Sequence, residues 1–480
     1  MEKGTLPQFP FCKKFSKRRM AMVETIAAIS TPRGKGGIAV IRVSGAGAGE
    51  IAKRVFSADL TAKPPRTAVY GRIYAPLPDG GREEVDDGVA LLWRGPHSYT
   101  GEDVLELSCH GGILVTQAVL EAVLAAGARI AEPGEFTRRA FLAGRIDLGQ
   151  AEAVGALLEA KTRSQLALFR SGMHGKLGAR CAELAGQLRT VAVSCMAAID
   201  FPDEDLRELS RGEMITAVKG AAAGLRALAA TWRTGRAVAK GIPTVLCGRA
   251  NVGKSALYNR IVGREAAIVT AIAGTTRDML TETVELGGVT LRLADTAGLR
   301  DTDDPIEAIG VGRARAALDE AELILAVFDV SSPLDENDAV LLATLPSLSG
   351  EKMIIANQAD RGVLSETLYR LHAAGGEPIL LSAQTGAGMD SLADAVAGRF
   401  LDGSLDLRED AIVTGARQYA ALLRAADAAD TALRGLREGL SEDLCCVDLE
   451  LALAALDEID GRAVSEEIVG EIFAKFCVGK

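Results

Sequence analysis

The stretch Gly248-Arg249-Ala250-Asn251-Val252-Gly253-Lys254-Ser255 decides how the rest of the chain is read. It has the Gly-x-x-x-x-Gly-Lys-Ser form of a phosphate-binding loop. Before it, Pro243-Thr244-Val245-Leu246-Cys247 reads as a short buried strand; after it, 256–262 reads as a helix, the context the motif needs. Gly248 and Gly253 let the backbone turn its N–H groups toward phosphate oxygens, and the helix N-terminus adds its dipole. Lys254 is placed to neutralise the β- and γ-phosphates, and the Ser255 hydroxyl to ligate Mg²⁺. Asn251, Val252, Gly253, Lys254, Ser255 and Ala256 are thereby candidate nucleotide contacts.

Four further stretches follow in the order of a Ras-like GTPase domain. Gly274-Thr275-Thr276-Arg277-Asp278 has the spacing of a first switch, with Thr276 as the second Mg²⁺ ligand. The strand 291–294 ends in Asp295-Thr296-Ala297-Gly298, where Asp295 would hold Mg²⁺ through water and the Gly298 N–H would meet the γ-phosphate. Asn357-Gln358-Ala359-Asp360 follows the strand 352–356, and a carboxylate at Asp360 accepts two hydrogen bonds that guanine offers and adenine does not. Ser382-Ala383-Gln384 follows the strand 378–381 and would close over the base. Gln358 stands where most such loops carry Lys, which predicts weaker packing over the base. Lys254 and Arg277 are the candidate catalytic cations. Leu299 follows Gly298 where many GTPases place Gln, and Leu neither donates nor accepts. Another group must therefore orient the attacking water. Asp301, Asp303, Asp304 and Glu307 lie in the next polar stretch, and their chemistry does not choose among them.

At 480 residues the chain is too long for one core and implies about three domains. A net charge of −10 excludes a chain that binds nucleic acid by overall electrostatics; RNA contact must be local or delegated. The eight cysteines show no C-x-x-C spacing or Cys/His cluster, which fits a reducing cytoplasm and no structural metal. No apolar run is long enough to span a bilayer.

Residues 1–21 hold a basic cluster without an apolar h-region and read as a disordered tail or an upstream start. Residues 22–142 are mixed α/β, with strands at 38–43, 69–74, 89–93 and 104–109 and a helix over 113–126. His110 ends the fourth strand, ordered by Gly111 and Gly112. Residues 143–240 repeat Ala and Leu at helical spacing, broken at Phe201-Pro202. The GTPase domain takes 241–402. Residues 403–480 return to helices at 408–439, 441–457 and 465–476. The fold class is thus multidomain α/β plus all-α: an N-terminal α/β domain, and a helical domain built from both flanks of an inserted Ras-like GTPase domain.

Several blocks carry a resemblance. They are 25–32 (TIAAISTP), 42–45 (RVSG), 99–107 (YTGEDVLEL), 133–137 (PGEFT), 199–204 (IDFPDE) and the terminal Phe476-Cys477-Val478-Gly479-Lys480. Over residues 22–480 the chain resembles the MnmE (TrmE) family of tRNA-modification GTPases. The resemblance implies a homodimer formed through an N-terminal folate-binding domain similar to aminomethyltransferases. It implies a K⁺ ion in place of an arginine finger, with Asn251, Thr270, Ile272 and Thr275 as its ligands. Glu307 matches the acid that orients water. Arg42, Glu106, Arg145 and Lys480 match positions that bind a tetrahydrofolate derivative in its 5-formyl or 5,10-methylene form. Arg145 replaces a lysine of some members. Cys477, beside Lys480, is a candidate for chemistry near the folate. The implied partner is the flavoprotein MnmG (GidA), which carries FAD in a heterotetramer or larger assembly, with tRNA bound mainly through that complex. The implied product is a carboxymethylaminomethyl or aminomethyl group on C5 of the wobble uridine. The rival reading is a ribosome-assembly GTPase switch, against which stands the lack of a KH-type Gly-x-x-Gly loop after residue 403.

Overall fold

Two sheets and one helical bundle organise the computed structural model, which describes residues 24–200, 209–264, 281–294, 318 and 320–479. Residues 1–21, the break at Phe201-Pro202 and Lys480 lie outside the described residues. The chain divides into two compact units, Met1–Gly155 with Val464–Lys480, and Ala156–Ala463.

In the first unit, β1 (Ile26–Ile29), β2 (Ile38–Ser44), β3 (Val69–Pro76), β4 (Arg82–Trp93), β5 (Val104–His110) and β6 (Arg129–Ile130) form a sheet in the order β3-β4-β5-β2-β1-β6. Every pairing is antiparallel except β1 with β6. Alternation sends Ile41, Val43, Leu105 and Leu107 to one face, where they are buried with residues of α1 (Ala48–Val55) and α2 (Ile113–Ala125). The intervening Arg42 and Glu106 fall on the opposite face. Strand β4 is longer than the sequence predicts. Its first half is acidic and a register shift falls at Ile73/Tyr74, so no clean apolar period marks it. The same unit contains α3 (Glu135–Leu142), α4 (Leu148–Glu159, which runs past its boundary) and α15 (Glu466–Ala474). Phe473 of α15 packs with Leu148, Ala151 and Val469. Thus α15 belongs with the N-terminal sheet, a grouping that the helical period of 465–476 does not reveal.

The second unit begins with α5 (Arg163–Met173), α6 (Lys176–Asp200), α7 (Arg211–Ala230) and α8 (Trp232–Ala239). Next come β7 (Ile242–Cys247), α9 (Lys254–Arg264), β8 (Thr281–Leu286), β9 (Val289–Ala294), β10 (Leu323–Asp329), α10 (Glu336–Thr344), β11 (Glu351–Asn357), α11 (Ser365–Gly375), β12 (Ile379–Leu380) and α12 (Met389–Phe400). The sheet order is β12-β11-β10-β7-β9-β8, parallel except for the edge pair β8–β9. β10 is buried along its whole length, as a central parallel strand covered on both faces must be.

After the sheet, α13 (Ala416–Glu438) and α14 (Glu442–Asp460) pack with α6 and α7 into a bundle. Its core holds Leu184, Leu188, Val218, Leu225, Leu422 and Leu449, together with the buried thiols Cys195, Cys445 and Cys446. Helix α13 starts at Ala416 rather than at Arg408, as the sequence predicts. Asp406 and Asp410 accept backbone N–H groups of a turn, and the Gln418 side chain caps Gly415. The entry and exit of the inserted sheet are stitched together. Thr231 Oγ1 accepts from Val413 N at 3.0 Å, and Thr234 Oγ1 from Asp402 N at 2.8 Å. Gly235 lies so close to the exit segment that a Cβ there would sit 1.9 Å from Val413 O. Among the described residues, no helix is long and apolar enough to cross a membrane.

Candidate functional site

The phosphate loop leaves the end of central strand β7, at the carboxyl edge where open α/β sheets bind ligands. Gly248 has φ +149°, and a Cβ there would fall 2.2 Å from Val327 O on β10. Gly253 has φ +92°, and its Cβ would meet Asn357 Nδ2 at 2.3 Å. Asn357, at the end of β11, is the reason for that closeness. Its Nδ2 donates to Val252 O at 2.7 Å and its Oδ1 accepts from Ala383 N at 3.0 Å. One buried side chain thus joins the phosphate loop to the loop expected over the base. Gln358 donates to Asn251 O at 2.8 Å from a left-handed backbone position. The neutral amide therefore tethers the phosphate loop, a contact separate from the weaker packing over the base that the sequence predicts.

Lys254 Nζ donates to Gly248 O at 2.7 Å and to Arg249 O at 2.6 Å. Ser255 is exposed and Ala256 half-buried in the first turn of α9. Arg260 on the same helix donates to Ala383 O at 3.0 Å and also to Gln384 O. Ser382 is buried, and its Oγ accepts from Thr385 N at 3.1 Å. Asp360 is exposed, with no hydrogen bond to its carboxylate among the described residues. This backbone cradle and lysine fit a nucleotide polyphosphate. Thr270, Ile272, Thr275, Thr276, Arg277, Asp295, Thr296, Ala297, Gly298 and Glu307 lie outside the described residues; β9 carries the chain up to Ala294.

A second constellation lies in the first unit. Arg42 and Glu106 are register partners on β2 and β5, and Arg42 Nε donates to Glu106 Oε1 at 2.9 Å. The Arg42 guanidinium stands 5.9 Å from the ring centroids of both Tyr99 and Phe136. Arg145 is exposed, and its stem lies 3.5 Å from where a Cβ on Gly101 would be. The C-terminal tail returns to the same sheet. Gly479 has φ +103°, its O accepts from Ser30 Oγ at 3.1 Å, and a Cβ on it would meet Ile29 O at 2.3 Å. Gly134 N donates to Cys477 O at 3.4 Å, and the Cys477 side chain is exposed. An arginine and a carboxylate among aromatic rings suit a flat heterocycle with an anionic tail, so these residues fit a folate.

Sequence reasoning missed a buried charge network beneath this face. Arg139 pairs with Glu102 at 3.0 Å and with Glu135 at 2.9 Å, and Arg129 pairs with Glu135 at 2.6 Å. Ser44 Oγ donates to Glu102 at 2.7 Å. Burial alone would raise the Glu135 carboxyl, but Arg129, the Glu132 N–H and Arg139 outweigh it and hold it at about 2. The available signal was the Glu135/Arg139 spacing of four in α3. Tyr99 is shifted upward by burial, and its hydroxyl lies 2.9 Å from Thr137 Oγ1. His110, read as an ordered strand end, also pairs with Asp86 at 2.7 Å, which raises its pKa.

The family model for the GTP-binding protein TrmE N-terminus matches residues 25–145, and that for the MnmE helical domain matches 148–477. This chain belongs to the MnmE family of tRNA modification GTPases. The tRNA modification GTPase MnmE of Symbiobacterium thermophilum is 44% identical over 462 residues, covering 95% of this chain and 99% of the relative. That of Geobacter sulfurreducens is 40% identical over 470 residues, covering 96% and 100%. Among solved structures, Era in complex with MgGDPNP and a segment of 16S ribosomal RNA is 24% identical, covers 38% of this chain and 65% of that one, and gives a TM-score of 0.27. The G domain of the T. maritima FeoB iron transporter is 23% identical, covering 32% of this chain and 96% of that one, with a TM-score of 0.25. The chain is a GTPase that acts in tRNA modification.

Proposed function

We propose that the chain is a K⁺-activated GTP hydrolase working as a homodimer with the flavoprotein MnmG in the cytoplasm. Together they install a carboxymethylaminomethyl or aminomethyl group on C5 of a wobble uridine in tRNA. The observation that supports the folate half is the Arg42–Glu106 pair beside Tyr99 and Phe136, on the sheet to which the Cys477–Gly479 tail returns. Arg145 and Lys480 would hold the glutamyl carboxylates, and Glu106, held in place by Arg42, would accept from pterin N–H groups. The bound folate supplies the one-carbon unit; FAD on the partner supplies redox chemistry. Cys477 is exposed beside that tail, free for chemistry there.

In the GTP site, Lys254 would turn from the loop carbonyls to the β- and γ-phosphates, with Ser255, Thr276 and water-bridged Asp295 holding Mg²⁺. Asn251, Thr270, Ile272 and Thr275 would hold K⁺, whose charge offsets that of the transferring phosphoryl group. Glu307 would orient the water, the role Leu299 cannot fill. Asp360 would select guanine. The test is steady-state GTP hydrolysis in KCl and NaCl at matched ionic strength, with oligomeric state followed alongside. Strong potassium stimulation with nucleotide-dependent pairing is expected; equal rates in the two salts remove K⁺ from the mechanism.

A further inference from the structure

Arg249, the second residue of the phosphate loop, is joined to the rest of the site through both its backbone and its side chain. Its carbonyl accepts from Lys254 Nζ at 2.6 Å. Its guanidinium reaches α10 and the segment before it. Nε lies 2.9 Å from Asp338 Oδ2 and 3.7 Å from Asp335 Oδ2, and Nη2 donates to Ser332 Oγ at 3.0 Å. Asp338 is 1% exposed. The two acids cap α10 reciprocally, with Asp335 Oδ1 accepting from Asp338 N and Asp338 Oδ2 from Asp335 N. Burial raises the Asp338 carboxyl, and Arg249 partly offsets it. Arg249 Nε has no aligned hydrogen bond, so its contact with Asp338 Oδ2 is chiefly one of charge, and Asp338 Oδ1 also has no hydrogen bond among the described residues. The guanidinium is therefore committed to α10.

The loop is gripped at two ends. Asn357 and Gln358 hold its far half through the carbonyls of Val252 and Asn251. Arg249 holds its near half. Between them, the Gly248 and Arg249 carbonyls lean on Lys254, the group that must leave them to reach phosphate. We propose that Arg249 is a positioning residue for GTP, whose ion pair with buried Asp338 keeps the near half of the phosphate loop in shape once Lys254 turns to the nucleotide. This deepens the phosphate-loop reading and rests on it.

The test uses the full chain in KCl, with Arg249→Met, Arg249→Lys, Asp338→Asn and the Arg249→Met/Asp338→Asn double variant. Arg249→Met should raise KM for GTP roughly tenfold, about 1.4 kcal/mol. It should speed release of a fluorescent GDP analogue and leave kcat at saturating GTP within about twofold. Arg249→Lys should restore part of the loss, and the double variant should be no worse than Arg249→Met alone. An unchanged KM overturns the proposal. So does a fall in kcat at constant KM, which would put the guanidinium on the transferring phosphoryl group, and so do additive effects of the two substitutions. Asp338→Asn keeps an oxygen for the helix cap, so the comparison survives a poorly folding Arg249→Met. Binding by the unsubstituted chain tests the GTP site itself; the ratio of variant to parent tests the ion pair.

Discussion

The parallel sheet carries its functional groups on loops at strand ends, and each loop is a short run of sequence: 248–255 after β7, 357–360 after β11 and 382–384 after β12. The antiparallel sheet carries its candidate groups on a strand face, and partners meet across the ladder. Arg42 and Glu106 are 64 residues apart in sequence, yet share one hydrogen bond. A loop site therefore shows itself as a motif, because the turn that shapes it and the groups that act are neighbours in the chain. A face site has no spacing of its own; register creates it.

The contrast is open to experiment. On the loop side, Glu307→Ala should lower saturating GTP turnover by about 10²-fold or more. Titration with a fluorescent nucleotide should remain unchanged, and ordinary turnover would take Glu307 out of the mechanism. On the face side, Gly479→Ala places a Cβ 2.3 Å from Ile29 O in a left-handed backbone. That strain of about 1–3 kcal/mol should lift the tail and weaken 5-formyltetrahydrofolate binding roughly tenfold. GTPase activity in the same sample should not change, and undiminished folate affinity would separate the tail from the pocket.

A smaller effect concerns acid. Glu135 sits at about 2, below its ordinary 4.5, so its stabilisation is present above about 4.5 and is lost as pH falls through about 2. Glu135→Gln should flatten the acid side of the stability curve, and a curve parallel to that of the parent chain would contradict the network's charge. The smallest effect is expected for Gln358→Lys, with GTP affinity within about threefold, since either side chain can donate to Asn251 O. A larger gain would mean that the neutral amide holds the loop less firmly than a lysine does.

The same contrast explains what could be read from residues alone. Strands β7, β9, β11 and β12 are short apolar runs that lead into diagnostic polar groups, and they were legible; β8 and β10 lead into no such motif and were not. The acidic first half of β4 was not, because Glu83, Glu84, Asp86 and Asp87 disguise a strand whose register also shifts. Nor was the Glu102–Arg139–Glu135 network: Glu135 and Arg139 share α3, but Glu102 comes from the loop before β5, and each alone reads as a solvated charge. The Arg42 face was found only through family resemblance. Asn357 was read as part of a base-recognition motif, and only the fold reveals that it also buttresses the phosphate loop.

The stitched junction at Thr231, Thr234 and Val413 has an engineering consequence. Among the described residues, the bundle core draws its side chains from positions 177–232 and 411–459 and takes none from the segment between them. Loop-closure entropy grows only with the logarithm of length, so the bundle can carry so large an excursion at small cost. Residues 241–402 are thus expected to behave as a cassette. A short glycine-serine bridge in their place leaves every member of that core in the chain, and the same junction can receive a different nucleotide-driven domain.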